Sequence, residues 1–129
     1  MNMERNTITI GESGNIIMPN NTTDIWMSEP ELVELFGIIA PTLRASIRSI
    51  YKSGVLKEYE AQKYIRLEND YHADVFSLTM IVALAFRINS FGAEQMRNAI
   101  LKRMYLRKEK TAFFFSLGSN GTKASNYQA

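Results

Sequence analysis

The sequence predicts an α+β fold, a small winged helix-turn-helix-like domain, and three observations predict it. Alternating polar and apolar residues at 7–10 and 64–76 read as strands of two hairpins. Helical spacing of apolar residues appears at 29–36, 41–52, 78–88 and 93–110. The first two helical stretches meet tightly at Gly37, the spacing of a helix-turn-helix. The element order is an N-terminal β-hairpin, two short helices, a second hairpin and two longer helices, which suits one α+β domain over 1–110 followed by an aromatic segment and a polar tail over 111–129.

Each element has a local reason. Thr7-Ile-Thr-Ile10 and Ile16-Ile-Met18 flank the turn-forming run Gly11-Glu-Ser-Gly-Asn15, as in a hairpin. Residues 19–23 are a polar loop, and Asp24-Ile-Trp-Met27 is a short third strand. Ser28 and Glu31 form a capping box for the first helix, with Pro30 in its first turn, Leu32, Leu35 and Phe36 as its buried stripe and Gly37 as its stop. Pro41 opens the second helix, on which Leu43, Ile47 and Ile50 share one face, and Ser53-Gly54 ends it. The second hairpin turns at Glu68-Asn-Asp70. Ser77 caps a helix apolar on nearly every side and therefore buried. Asn89-Ser-Phe-Gly92 separates it from the last helix, and the Gly/Ser/Asn-rich tail after Ser116 reads as loose.

Composition excludes several functions. Of 129 residues, 46% are hydrophobic and 22% charged, ordinary for a folded domain. With no cysteine, disulfides, thiolate metal sites and a thiol nucleophile are ruled out, and His72 as the lone histidine removes zinc sites built on several imidazoles. The polar N-terminus lacks a signal peptide's apolar run and no apolar stretch is long enough to span a bilayer, so a cytoplasmic location without membrane association is expected. Behind the net charge of +2, acidic and basic blocks alternate. Residues 24–36 carry four acids and no base, 42–66 six bases and two acids, and 87–110 seven bases and two acids. Such blocks suit either internal charge matching or a polyanionic partner.

In the helix-turn-helix reading the second helix enters the major groove. With Leu43, Ile47 and Ile50 turned inward, Ala45, Arg48, Ser49 and Lys52 face outward, flanked by Thr42 and Arg44. These residues offer donors for phosphates and base edges and are small enough for close approach. The second hairpin stands where a wing would stand, with Lys63 and Arg66 within reach of the DNA backbone. The DNA-contact set expected from the sequence is therefore Thr42, Arg44, Ala45, Arg48, Ser49, Lys52, Lys63 and Arg66.

Asp24-Ile-Trp-Met-Ser28, Glu34-Leu-Phe-Gly37 and Ile47-Arg-Ser-Ile-Tyr-Lys-Ser-Gly54 together resemble the N-terminal domain of RhuM-family proteins. A second block, Phe76-Ser-Leu78 with Ala85-Phe-Arg-Ile-Asn-Ser90 and Gln95-Met-Arg97, resembles that family again and is similar to Bro-N type domains of phage and large DNA viruses. The resemblance covers residues 7–106 and implies a DNA-binding-like module found in mobile elements and phage, without an established enzymatic activity. This chain departs from the family pattern at Ile39 and Ala40, where a polar cap and a base are usual, and at Ala45 and Ser46, where Arg-His-like residues are common. Those are base-reading positions, whereas Arg44 and Arg48 retain the attraction for phosphate.

Nothing in the sequence carries catalysis. His72 and Asp74 merely share a strand face, and Gly11-x-x-Gly14 is a hairpin turn that opens no helix. Neither a cofactor nor a small-molecule substrate is expected, and no metal-ligand spacing occurs. Arg87, Asn89 and Ser90 read first as capping and loop-fixing groups and second as phosphate contacts. On the basic last helix, Met96, Ile100 and Met104 form a stripe bordered by Arg103 and Arg107. The aromatic run Phe113-Phe-Phe115 predicts either folding back onto the core or a homodimer. Two functions remain: a module binding duplex DNA mainly through phosphates, and a protein-interaction module on the same scaffold that has lost base readout.

Overall fold

The computed structural model describes residues 5–119, with side chains through Leu106. It is an α+β structure with five α-helices and two small antiparallel sheets. The chain divides into two compact units, Met1–Arg97 and Asn98–Ala129.

In the first unit, β1 (Thr9–Ile10) and β2 (Ile16–Ile17) form the N-terminal hairpin with Thr9 opposite Ile17. The third strand, β3 (Trp26–Ser28), begins two residues later than expected because a 3₁₀ turn at Thr22–Asp24 precedes it, with Asn21 accepting the Thr23 amide. Helix α1 (Glu29–Phe36) has the predicted limits. At its start the Glu31 carboxylate accepts the Ser28 amide at 2.8 Å and receives both arms of the Arg5 guanidinium at 2.7 and 3.0 Å. Its end is Gly37 at φ 66°, a left-handed position whose amide donates to Val33 O at 2.8 Å.

Helix α2 (Ala40–Ser53) buries Leu43, Ile47 and Ile50, the predicted face. A short helix absent from the sequence reading, α3 (Glu58–Ala61), follows. Glu58 and Glu60 suit the positive end of its dipole, and Ala61 anchors it in the core. Strands β4 (Gln62–Arg66) and β5 (His72–Ser77) form the second hairpin. In the three-stranded sheet the order is β3-β5-β4, with Met27 opposite Phe76 and Arg66 opposite His72.

Helix α4 (Leu78–Ala85) is three residues shorter than expected, and Phe86 is half exposed. Continuing the helix would require the Ala85 carbonyl to accept the Asn89 amide. That carbonyl and the one of Ile88 are instead held by Arg97 Nη1 at 2.8 and 3.0 Å. A tertiary contact therefore overrides the apolar run. Helix α5 (Phe91–Ser119) starts earlier and extends further than expected. Good helix formers such as Lys108-Glu-Lys110 carry it past residue 110, and it runs through the expected start of the loose tail after Ser116. The rest of that tail, 120–129, lies outside the described residues.

The core of the first unit sits between the three-stranded sheet and the helices, with Phe36, Leu43, Val75, Met80, Leu84 and Met96 among its buried residues. The first turn of α5 locks onto the α1–α2 junction. Ser90 Oγ donates to Phe36 O at 2.7 Å and accepts the Ala93 amide at 3.1 Å. Gly92 is packed so closely that a Cβ there would run into the carbonyl of Leu35 and the backbone of Phe36. The loop-fixing role expected of Ser90 is thus present.

Candidate nucleic-acid interface

Helix α2 builds one candidate surface because its two faces differ so strongly. Opposite the buried Leu43, Ile47 and Ile50 lie the exposed Thr42, Ala45, Arg48, Ser49 and Lys52. Arg48 and Lys52 have no carboxylate partner among the described residues, so both keep their charge for solvent or a ligand. Two open concavities share Ala45 and Ser49 as their floor. One, of about 470 Å³, is bounded by Pro41, Thr42, Ser46 and Arg87. The other, of about 560 Å³, is bounded by Arg48 and Lys52.

Arg44 does not join this face. Its guanidinium reaches back to α1, with Nε 2.9 Å and Nη2 3.3 Å from the two Glu29 oxygens. Arg87, expected first as a capping or loop-fixing group and second as a phosphate contact, does join it. Its Nη1 donates to Ser49 Oγ at 2.6 Å, across 38 positions of sequence. The local signal was a cation closing an apolar run, but no spacing rule connects residue 87 to residue 49.

The hairpin separates the two cations expected on it. Residues 63 and 66 are three apart on a strand and so point to opposite faces. Lys63 Nζ sits 4.3 Å from the Trp26 ring centre, a cation–π contact on one side of the sheet. Arg66 lies with Tyr64, His72 and Asp74 on the other side, 3.6 Å from Asp70 across the turn. Tyr64 and His72 stack with centroids 5.5 Å apart and an interplanar angle of 17°. His72 is thus an exposed ring partner of Tyr64.

A groove of about 310 Å³ runs between α2 and this hairpin face, and its lining includes Glu29, Arg44, Glu58 and Asp74. The Tyr51 phenol donates to Gln62 Oε1 at 2.8 Å there. Burial, with Glu58 and Asp74 nearby, pushes Tyr51 up to about 12, so it stays a neutral donor. Carboxylates thus line the groove between α2 and the hairpin face.

On α5, Met96 is buried while Met104 is 61% exposed, so the predicted stripe is inward-facing at one end only. Arg97 is occupied by the two α4 carbonyls. The side chains of Phe113-Phe-Phe115, on which the expected homodimer rests, lie outside the described residues. Among the described residues, no group of three or more acidic, histidine or cysteine side chains is placed to hold a metal ion, and no helix is long and apolar enough to cross a membrane.

Comparison with family models finds no match for this chain, and comparisons with curated proteins and with solved structures find none either.

Proposed function

We propose that this chain is a cytoplasmic duplex-DNA-binding module of winged helix-turn-helix type, working through phosphate contacts and without a catalytic step. The observation that carries the reading is the outward face of α2, where Thr42, Ala45 and Ser49 form a low floor and Arg48 and Lys52 are free of carboxylates. An α-helix with small outward residues fits a major groove about 12 Å wide. The connectivity supports it, because α1 and α2 lie between β3 and the hairpin, and β5 pairs with both β3 and β4. The RhuM-like and Bro-N-like sequence blocks support it too, since they span β3, α1, α2, α4 and the start of α5.

The test is an anisotropy titration of mixed-sequence duplex DNA at low and moderate salt. Binding should weaken steeply with salt, because each neutralised phosphate releases counterions. Replacing Arg48 and Lys52 together by alanine should lower the log–log salt slope by about 2. An unchanged slope overturns the placement of DNA on α2, and no binding at low salt overturns DNA binding altogether. One observation favours the second reading, a protein-interaction module: Val55, 69% exposed, and Phe86, 52% exposed, line a concavity of about 480 Å³ beside Ile50 and Ala83. A homodimer is proposed only as an accompaniment, matching two half-sites of a duplex. Light scattering of the intact chain tests it, and a monomeric mass at high micromolar concentration overturns it.

A further inference from the structure

We infer that Arg87, from outside the helix-turn-helix, is a DNA-phosphate contact, and that Ser49 is its positioning residue. This rests on the reading of α2 as the DNA-contacting helix.

The six arginines of the Met1–Arg97 unit divide by what holds them. Arg5, Arg44 and Arg66 face Glu31, Glu29 and Asp70. Arg97 is occupied by the carbonyls of Ala85 and Ile88. Of these six, only Arg48 and Arg87 have neither a carboxylate nor a backbone carbonyl partner, and both border the Ala45–Ser49 floor of α2. They stand on opposite sides of it. Arg48 and Lys52 bound one concavity and Arg87 bounds the other. A helix seated in a major groove has a phosphate strand on each side. Without Arg87, the described cations around the α2 floor would serve one side.

The backbone holds Arg87 in place for this. Its own amide and that of Ile88 both donate to Leu84 O, at 3.0 and 2.9 Å. Ile88 is buried, and Arg97 grips the carbonyls on either side. The bond to Ser49 uses one of five guanidinium N–H donors and orients the plane before any ligand arrives. A pre-oriented fork loses less side-chain freedom on binding a phosphate. Ser49 Oγ accepts from Arg87 and keeps its own hydroxyl proton for a second donor contact.

The experiment measures anisotropy salt slopes on mixed-sequence duplex DNA with the full chain, and thermal melts confirm that each variant is folded. Arg87→Ala should lower the slope by about 1 relative to the unsubstituted chain. Arg87→Gln, which retains a donor for Ser49 without the charge, should lower it equally and serves if Arg87→Ala fails to fold. Arg87→Lys should keep the slope. Ser49→Ala should keep the slope while weakening affinity two- to five-fold. Lys57→Ala, away from the floor, is the control for net charge and should leave the slope unchanged. An unsubstituted chain that binds, with Arg87→Gln at the same slope, makes Arg87 a tether between α4 and α2 and overturns the inference while leaving the α2 reading intact. An unsubstituted chain that does not bind at low salt overturns the α2 reading, and this inference with it.

Discussion

The α1–α2 junction and the tip of the β4–β5 hairpin both flank the proposed contact surface, yet they are held in opposite ways. At the junction, Gly37 is braced from behind by Ser90, bonded to Phe36 O, and by Gly92 against the backbone of Leu35 and Phe36. At the tip, the Leu67 amide donates to Tyr71 O at 2.6 Å and the Asp70 amide to Leu67 O at 3.0 Å, with Asp70 itself left-handed at φ 68°. The other tip contacts, the Tyr71 amide donating to Asn69 Oδ1, the Arg66–Asp70 pair and the Tyr64–His72 stack, are exposed to solvent. Buried brace against solvent-exposed contact is the difference between an element that opens only with the fold and one that opens locally. A surface made this way presents α2 in one orientation while the hairpin tip adapts.

The largest effect that would break the comparison is at Gly92. Gly92→Ala places a methyl group against rigid backbone, where neither side can yield as a side chain would. Overpacking costs about 1–3 kcal/mol and occasionally more, and chemical denaturation should show a loss at or above the upper end. A loss under about 0.5 kcal/mol would mean that the junction is not tightly braced.

Next comes Gly37. Nothing lies within 4 Å of a Cβ built there, so only the left-handed φ resists substitution. Gly37→Ala should cost about 1 kcal/mol, and Gly37→Val more, through backbone strain alone. Gly37→Asn, whose side chain tolerates this region, should recover much of the loss. Equal effects of Ala and Asn would point to a steric cause that the structure does not contain.

The other end of α1 offers a pH measurement. Burial raises the Glu31 pKa, but the hydrogen bonds from Arg5 and from Ser28 outweigh it and hold the carboxyl below its ordinary 4.5. The Arg5 guanidinium is raised in turn, first by its hydrogen bond to Glu31. A lowered carboxyl pKa contributes stability that is complete above the unfolded value and lost as pH falls through the folded one. Stability should therefore drop as pH goes below about 4.5, and Glu31→Gln should flatten this part of the profile while lowering the plateau. Parallel acid profiles for the two proteins would remove the pair from the account.

The smallest effect is expected at the tip. The Arg66–Asp70 pair is exposed at 3.6 Å, and such pairs contribute about 0–1 kcal/mol. Asp70→Asn, which also tolerates the left-handed backbone, should change stability by less than about 0.5 kcal/mol while freeing Arg66 and tightening DNA binding at low salt. A large stability loss would make the tip as rigid as the junction and cancel the contrast.

Local chemistry alone determined much of this protein. The limits of α1 follow from Ser28, Glu31, Pro30 and Gly37, all acting within a few residues. The buried face of α2 follows from Leu43, Ile47 and Ile50 at helical spacing, and the second hairpin from alternation around a turn at residues 68–70. The outward positions Thr42, Ala45, Arg48, Ser49 and Lys52 followed as the complement of that buried face. Tertiary structure decided the remainder, because it depends on groups far apart in the chain. Glu29 withdraws Arg44 from fifteen residues away, the Trp26 ring receives the Lys63 ammonium, and Ser49 receives Arg87. Arg97 ends α4 by taking a carbonyl that its own helix would have used. Periodicity reports which way a side chain leaves its element, since that is set by backbone geometry. It does not report which charge or carbonyl waits there, since folding brings that partner from elsewhere in the chain.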